Sequence, residues 1–335
     1  MKKTQLQIVS IVKQVDNSLQ KILGEDIPKL KQIKDFTVKG GGKRIRPILL
    51  YLLYQLWAKN HPLKSDFKSK DAYDLCAIPE IIHAASLLHD DVLDEAEERR
   101  GKPSGRKLFG NKDVILAGDY LLACGISRLN KFRNPDLMDV FTSVIKDLSV
   151  SELLQMEYRS NPKINYEIYH KIIYGKTASL FRACCEAPAV WLQQSRTVID
   201  KAGKAGEGLG LVFQLRDDWL DYFKPEELKK EPWQDYINGV ITYPVLCLKG
   251  QIPEKEYNLL VKDICSQNIE AKKENAEIFV KKLRNFGAEE FTLKKLQTEY
   301  HKVQHFFASY PDSPECKLIL AQFDKLTLNN PEKKQ

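Results

Sequence analysis

Apolar residues recur every three or four positions along most of this chain, which is the spacing expected on the buried face of an α-helix. The pattern predicts helices over residues 6–24, 45–57, 80–93, 114–129, 137–158, 164–192, 198–223 and 243–248. No run alternates as a strand would, and no hairpin signal is present. We therefore predict an all-α fold in which residues 1–335 form one large helical bundle as a single domain, with a frayed tail from about residue 327.

Composition excludes several classes of protein. The 335 residues are 43% hydrophobic and 29% charged, which is typical of a globular protein rather than a disordered one. No uncharged run approaches the ~20 residues that span a bilayer, and no apolar segment follows the N-terminal lysines as in a signal peptide. The seven cysteines form no Cys-x-x-Cys pair, so we expect reduced thiols in a cytoplasmic protein. The net charge of +7 is compatible with nucleic acid, an anionic small molecule or an anionic membrane.

The first candidate site is an acidic cluster at the end of the predicted helix 80–93. Asp90 and Asp94 are four residues apart, so their carboxylates project from one helix face, and Asp91 lies beside them. Like charges so placed repel each other and therefore require compensating cations. A solvated acidic surface is the alternative for this cluster taken alone.

A second cluster repeats the spacing after another strongly apolar helix. Asp217 and Asp221 are again four residues apart, with Asp218 between them. Two such clusters facing each other across a bundle would offer oxygen ligands to Mg²⁺, which keeps several waters and completes its coordination with substrate phosphate. The pair of clusters therefore predicts a site for a diphosphate.

Cations occur where a diphosphate would need them. Lys43 and Arg46 follow consecutive glycines, Arg99 and Arg100 follow the first acidic cluster, and Lys176 precedes Thr177 within an apolar helix. Arginine forks match phosphate oxygens, and flexible backbone at a helix start suits an anion. Each cation alone could be an ordinary surface residue. Together they favour diphosphates over nucleic acid, because the remaining lysines are dispersed among acids.

These motifs resemble those of the trans-isoprenyl diphosphate synthases, in particular the long-chain octaprenyl and heptaprenyl types. The resemblance extends from about residue 41 to residue 244, in the family's order and spacing. The matching segments are Gly41–Pro47, Asp90–Asp94, Arg99–Gly101, Ala117–Asp119, Lys176–Thr177, Phe213–Gln214 and Asp217–Asp221.

The resemblance implies an isoprenoid synthase fold with a central apolar cavity, and it implies a role for each of the matching motif residues. It implies a Mg²⁺-dependent condensation of isopentenyl diphosphate with an allylic diphosphate. By this resemblance the metal ligands are Asp90, Asp91, Asp94, Asp217, Asp218 and Asp221. Lys176, Thr177 and Gln214 would be catalytic residues that hold the allylic diphosphate together with Arg99. Isopentenyl diphosphate would bind to Lys43, Arg46, His83 and Arg100.

The resemblance further implies a homodimer that has no nucleic-acid partner and makes at most peripheral membrane contact when product is released.

The chain departs from the family's pattern at Val240, where a lysine is usual, and at Trp233, where a glycine is common. Lys229 or Lys230 is the candidate to compensate for the lost charge. A non-catalytic subunit of a heteromeric synthase therefore stays open as an alternative, whereas the second all-aspartate motif argues against a class I terpene cyclase.

The length of the product should depend on residues one turn before the first cluster. In the family, bulky aromatic residues there stop growth at farnesyl length, whereas this chain has Ala85 and Ser86, with Ile82 as a possible floor. Packing of these residues against a neighbouring helix is the structural alternative. We expect an all-trans product longer than farnesyl, such as an octaprenyl precursor of a quinone side chain, with geranylgeranyl diphosphate as the alternative.

Overall fold

The computed structural model describes residues 2–24, 27–39, 44–59, 61, 69–99, 101–228 and 231–324. Within these residues the chain is almost entirely helical, which confirms the predicted all-α class. The helices in chain order are α1 (Lys2–Leu23), α2 (Pro28–Lys39), α3 (Ile45–Ala58), α4 (Ser69–Leu93), α5 (Gly105–Phe109), α6 (Asn111–Asn130), α7 (Pro135–Tyr158), α8 (Tyr166–Ile173), α9 (Ser179–Trp191), α10 (Arg196–Phe223), α11 (Gln234–Ile237), α12 (Tyr243–Leu246), α13 (Glu254–Ile264), α14 (Ile269–Asn285), α15 (Ala288–Phe307) and α16 (Pro314–Asp324).

The chain divides into two compact units. Unit 1 consists of Met1–Ile145, Leu180–Gly206 and Phe306–Ala321. Unit 2 consists of Lys146–Ser179, Glu207–His305 and Gln322–Gln335. The first aspartate cluster belongs to unit 1, and the second belongs to unit 2. None of the described helices combines the length and apolar character needed to cross a bilayer.

In unit 1, α4 packs against α1, α3 and α6. Helix α3 is buried almost all round, because the residues from Pro47 to Tyr54 are all shielded from solvent. This agrees with the apolar run that predicted a buried helix. The packing fixes α4, whose last turn carries the first aspartate cluster.

Helix α4 begins ten residues before Pro79, where the sequence pattern had predicted its start. Proline usually ends or starts a helix, because it lacks an amide hydrogen and crowds the preceding turn. Here Leu75, Cys76 and Ile78 are fully buried, so the turns before the proline are stabilised by packing. Tertiary burial therefore outweighs the local preference of Pro79.

A short hairpin follows α4, although the sequence had given no hairpin signal. Strand β1 (Glu98–Arg99) pairs with the antiparallel strand β2 (Lys102–Pro103), and Gly101 in the turn has a φ of 73°. Each strand has only two residues, so neither contains the alternating apolar pattern by which strands are predicted. The expectation that no strand would form was therefore wrong at this point.

The predicted helix 164–192 is interrupted by a π-helical segment, Tyr174–Ala178. Gly175 lets this segment approach α7 closely, since a Cβ atom there would lie 2.6 Å from the Cβ of Ser151. Gly210 of α10 likewise faces the backbone of Ala178, and a side chain at that glycine would overlap it. The interruption matters because Lys176 and Thr177 lie within it, and π-turns inside helices often occur at functional sites.

Unit 2 has its own hydrophobic core, built around α10 and completed by residues from α8 to α15. Tyr236 of α11 stacks on Phe279 of α14 with ring centroids 4.2 Å apart. Lys272, also on α14 and buried, donates to the carbonyl oxygens of Tyr236 and Ile237 at 3.3 and 3.2 Å. These contacts fix the short helix α11 beside the second aspartate cluster.

Candidate active site

The first aspartate cluster occupies the C-terminal end of α4. The helix is closed by hydrogen bonds from the amide of Glu95 to the carbonyl of Val92 and from the amide of Ala96 to that of Asp91. Glu95 has a φ of 47°, the left-handed conformation that glycine usually takes at such a helix end. Asp90 is half-buried and Asp94 is exposed, so this end of α4 presents carboxylates toward solvent.

Asp91 differs from its two neighbours because it is 2% exposed and both of its oxygens accept hydrogen bonds. Nε of Arg99 donates to Oδ1 at 2.5 Å, and the amide of Gly105 donates to Oδ2 at 2.9 Å. Asp91 thereby connects α4 to the hairpin and to the start of α5. Arg99, predicted to bind the allylic diphosphate, is placed next to the acidic cluster by this ion pair.

Arg46 lies on α3 with its guanidinium carbon 5.0 Å from the ring centroid of Phe181. Arg44, immediately before α3, has a left-handed φ of 48° and binds Glu80 at 2.7 Å and Asp16 at 3.1 Å. These ion pairs fix the start of α3. Lys43 and Arg100 were predicted to bind isopentenyl diphosphate and lie outside the described residues.

The predicted chain-length residues lie on α4 before the aspartate cluster. Ala85 and Ile82 are buried, and Ser86 is half-buried with its hydroxyl donating to the carbonyl of His83 at 2.9 Å. His83 is also half-buried on this helix. Alanine is small, and the Ser86 side chain turns back onto its own helix. Positions 85 and 86 therefore contribute very little bulk.

Lys176 and Thr177 emerge from the π-helical segment of unit 2. Nζ of Lys176 lies 2.9 Å from a carboxylate oxygen of Glu152 and donates to Oε1 of Gln155 at 3.3 Å. The hydroxyl of Thr177 donates to Oε1 of Gln214 at 2.8 Å. The structure thus brings together Thr177 and Gln214, two of the three predicted catalytic residues.

That contact continues into the second aspartate cluster. Nε2 of Gln214 donates to Oδ1 of Asp218 at 2.9 Å, and the hydroxyl of Tyr169 donates to Oδ2 of the same carboxylate at 2.5 Å. Burial raises the pKa of Tyr169 well above its ordinary value, and the charge of Asp218 raises it further, so the hydroxyl stays protonated and donates. Neutral donors thus orient Asp218 without cancelling its charge.

Asp221, at 0% exposure, is held by backbone donors instead. The amides of Gln234 and Asp235, at the start of α11, donate to its two oxygens at 3.2 and 2.9 Å. Asp217, one turn earlier, is half-buried on α10. Hydrogen bonds thus fix the orientation of both the Asp218 and the Asp221 carboxylates.

Sequence reasoning missed Tyr169, Glu152 and the α11 amides. Tyr169 stands in an apolar helical pattern, which gives no indication that its hydroxyl meets a carboxylate 49 residues away. The sequence offered one indication of a role for Tyr169, because it stands seven residues, about two helical turns, before Lys176. The contact depends on tertiary packing and not on local spacing.

The loop that departs from the family's pattern has an unusual backbone. Trp233 has a φ of 60°, the left-handed conformation that glycine adopts readily and a bulky residue rarely does. Its amide donates to the carbonyl of Asp221 at 3.3 Å. Val240 is half-buried, and its amide donates to the carbonyl of Asp235 at 2.8 Å. Lys229 and Lys230, expected to compensate for the missing lysine, lie outside the described residues.

Both clusters offer the ligand chemistry that a hard cation requires, since all their donors are carboxylate oxygens. Over the described ranges, no three His, Cys, Asp or Glu side chains converge on one point as a complete metal site. A metal bound at either cluster would therefore need further ligands. This fits Mg²⁺, which keeps waters and phosphate oxygens as its other ligands.

Comparison with known proteins tests these inferences. The sequence profile described as polyprenyl synthetase matches residues 27–282, which is more than half of the chain and includes both aspartate clusters. The chain belongs to the polyprenyl synthetase family. The predicted resemblance is therefore confirmed, and this polyprenyl synthetase is a trans-prenyltransferase that forms polyprenyl diphosphates.

Individual members of the family are similar over nearly the whole chain. Decaprenyl-diphosphate synthase subunit 1 of Schizosaccharomyces pombe is 30% identical, with 94% of this chain and 88% of that protein covered. A decaprenyl diphosphate synthase from Rhodobacter capsulatus has a similar structure, with a TM-score of 0.86, 26% identity and 98% of each chain covered. Heptaprenyl diphosphate synthase from Staphylococcus aureus gives a TM-score of 0.85 at 26% identity, with 96% of this chain and 98% of that chain covered. The similarity to long-chain synthases agrees with the predicted product class.

Proposed function

We propose that this polyprenyl synthetase condenses isopentenyl diphosphate with an allylic diphosphate in a Mg²⁺-dependent reaction, and that each aspartate cluster contributes carboxylate ligands for the metal. Asp90 and Asp94 supply them in unit 1, and Asp217 supplies them in unit 2. Bound Mg²⁺ would act as a Lewis acid that neutralises the charge of a departing diphosphate.

The observation that carries this proposal is that the middle aspartate of each cluster is fixed in orientation by hydrogen bonds. In both, the middle aspartate is held by hydrogen bonds from its surroundings: Asp91 by Arg99 and Gly105, and Asp218 by Tyr169 and Gln214. Oriented carboxylates are what a metal site requires, because fixed ligands bind without a large loss of conformational freedom. Asp91, Asp218 and Asp221 therefore hold their clusters in shape, and a metal or its waters would bind to the same carboxylates.

The remaining roles follow from the side chains around each cluster. Lys176, Thr177 and Gln214 hold the allylic diphosphate, with Arg99 as a further cation. Lys176 already pairs with Glu152, so the substrate diphosphate would share or replace that partner. Arg46 and His83 hold isopentenyl diphosphate, with Lys43 and Arg100 as in the sequence prediction.

The direct test is incubation of the purified protein with isopentenyl and farnesyl diphosphates, with and without Mg²⁺, followed by analysis of product length. We expect long all-trans chains of the octaprenyl class only when Mg²⁺ is present. A product that stops at geranylgeranyl length would favour the geranylgeranyl synthase alternative. No reaction with any allylic primer would contradict the proposal.

The small residues before the first cluster are proposed to leave room for a long chain. Ser86→Phe adds a bulky ring at a half-buried position, where it can be accommodated without filling the core. We expect this variant to shorten the main product. Leu87→Phe, one position later and about 100° around the helix, is the matched control and should leave product length unchanged.

A non-catalytic subunit is the second candidate function. Two observations favour it: Val240 replaces a cation, and the similar fission yeast protein is named as subunit 1 of a synthase. A subunit of this kind would give no product alone and would form product when mixed with its partner. The incubation described above separates the two candidates, because elongation by the isolated chain rules out this role.

We further propose that the protein is a homodimer. Helix α7 exposes a row of apolar side chains, with Val150, Leu153 and Met156 at 55, 66 and 53% exposure. Their spacing places them close to one face, and exposed apolar rows often mark interfaces between protein chains. Sedimentation analysis should give a dimer for the native protein and a monomer for Leu153→Glu.

We place the enzyme in the cytoplasm, where it would make peripheral contact with a membrane only as its apolar product leaves. All seven cysteines are free, and Cys76, Cys184 and Cys185 are fully buried. Unpaired thiols suit a reducing compartment. Microscopy of the tagged protein would test this placement, and a signal confined to an organelle would contradict it.

A further inference from the structure

Tyr169 connects α8 to the second aspartate cluster through one short hydrogen bond. Its hydroxyl lies 2.5 Å from Oδ2 of Asp218, and the two residues are 3% and 2% exposed. Water therefore competes little for this bond. The other carboxylate oxygen accepts from Gln214, which in turn accepts from Thr177. Four side chains thus form one continuous hydrogen-bonded chain.

We propose that Tyr169 is a positioning residue for metal binding, and that its hydroxyl holds the Asp218 carboxylate in the orientation in which the second cluster accepts a divalent cation. This inference rests on the proposed function, in which the second cluster is a metal site. Tyr169 itself touches neither metal nor substrate in this role.

Lone-pair geometry explains how Asp218 can be both anchored and active. An ionised carboxylate has about four acceptor positions, and Tyr169 and Gln214 use one on each oxygen. These two bonds therefore do not by themselves occupy all the acceptor positions that a cation or a water of its hydration shell could use. Loss of the tyrosine hydroxyl would remove the donor on Oδ2 and loosen the orientation of the carboxylate.

The surroundings of Tyr169 hold its ring in place. The ring belongs to the hydrophobic core of unit 2 and is 3% exposed. It approaches Tyr243, with centroids 6.3 Å apart, and borders a cavity of about 560 Å³ that is also lined by Tyr166, Leu211 and Lys295. Because packing fixes the ring, the hydroxyl can in turn fix the carboxylate of Asp218.

The test compares Tyr169→Phe with the native protein and with Tyr166→Phe. Both variants lose one phenol hydroxyl from α8, but Tyr166 is 42% exposed and its ring lies over Nζ of Lys295. Binding of Mn²⁺ is measured from the loss of the electron paramagnetic resonance signal of the free ion. Thermal unfolding of the apo variants and the Mg²⁺ dependence of the reaction rate are measured in parallel.

We expect Tyr169→Phe to weaken Mn²⁺ binding about 10- to 100-fold, the usual cost of losing a residue that orients a metal ligand. The Mg²⁺ concentration for half-maximal rate should rise by the same factor, and Tyr166→Phe should leave both values unchanged. In a protein that already carries Asp218→Asn, adding Tyr169→Phe should change Mn²⁺ binding less than about twofold, because the two residues act through one bond.

Two results would overturn the inference, and they are distinguishable. Saturable Mn²⁺ binding that is equal in the native protein and Tyr169→Phe would assign the bond a purely structural role, whatever happens to thermal stability. Absence of saturable Mn²⁺ binding to the native protein would overturn the metal site of the proposed function together with this inference.

Discussion

The two aspartate clusters have the same spacing but different surroundings. In the first, the buried Asp91 is held by the guanidinium of Arg99, and the exposed Glu97 nearby pairs with Arg106 and Lys107. In the second, Asp218 and Asp221 are almost fully buried, and they accept hydrogen bonds from a phenol, an amide side chain and two backbone amides. A charged donor thus helps to hold Asp91, whereas neutral donors hold Asp218 and Asp221.

This difference shows that one sequence motif can be stabilised in two physical ways. Charged partners neutralise a carboxylate, and ion pairs near solvent weaken as salt is added. Neutral donors orient a carboxylate and leave its charge available, at the cost of burying that charge.

The largest expected effect comes from removing charge in either cluster. Asp90→Asn and Asp217→Asn keep the shape of each side chain, and we expect each to lower kcat about 10²- to 10³-fold because stabilisation of the leaving diphosphate is lost. Asp139→Asn, on the exposed face of α7, is the control and should change kcat less than about twofold. Incorporation of labelled isopentenyl diphosphate measures the rates.

Equal losses in the two variants would show that the clusters contribute equally despite their different surroundings. Chelation of the metal by EDTA should abolish the native rate, and added Mg²⁺ should restore it. Retention of most of the activity by either variant would contradict the role assigned to its cluster.

The next largest effect concerns the contribution of the first cluster to folding stability. Arg99→Gln removes the charged partner of the buried Asp91, and we expect the free energy of unfolding to fall by about 1–3 kcal/mol. The exposed neighbour Glu98→Gln should leave stability within about 0.5 kcal/mol of the native value. Urea unfolding measures both. Native stability in Arg99→Gln would mean that the Gly105 amide alone is sufficient to hold Asp91.

A smaller effect concerns the region of the second cluster, to which the family's usual lysine can be restored. Val240→Lys should raise kcat/KM for the allylic substrate roughly tenfold, equivalent to about 1.4 kcal/mol for a new charged hydrogen bond. Asn238→Lys adds the same charge at an exposed position two residues earlier and is the matched control. Equal gains in both variants would indicate a general effect of charge instead of a specific contact.

The smallest expected effect is a loss of folding stability that occurs only at alkaline pH. Burial raises the pKa of Tyr236, and Asp263 raises it further. The unfolded chain ionises this tyrosine near pH 10, so above that pH the folded state binds more protons and loses stability as pH rises. Tyr236 should contribute about 1.4 kcal/mol per pH unit to that loss. Tyr236→Phe should reduce the slope by this amount, and an unchanged slope would contradict the prediction.

The sequence predicted the helices well, because they depend on spacing along the chain. Helical periodicity located α3, α6 and α10 to within a few residues. Asp90 and Asp94 share a helix face for the same geometric reason. The hydrogen bond from Tyr169 to Asp218 could not be predicted, since it depends on how α8 packs on α10.

The failures in the fold have similar causes. The hairpin of β1 and β2 is too short to have a periodic pattern, and the start of α4 before Pro79 depends on burial of the preceding turns. The left-handed conformation of Trp233 contradicts its intrinsic preference and is maintained by its surroundings. In each case tertiary contacts outweigh a local rule.

The π-helical segment Tyr174–Ala178 has a consequence for how this chain should be aligned with its relatives. A π-turn closes between residues five apart instead of four, so it contains one residue more than an α-turn. A relative that lacks one residue here could run as a continuous α-helix and keep the same faces buried on both sides. A single-residue gap at this position would therefore indicate the gain or loss of the turn that presents Lys176 and Thr177. It should not be treated as an error of alignment.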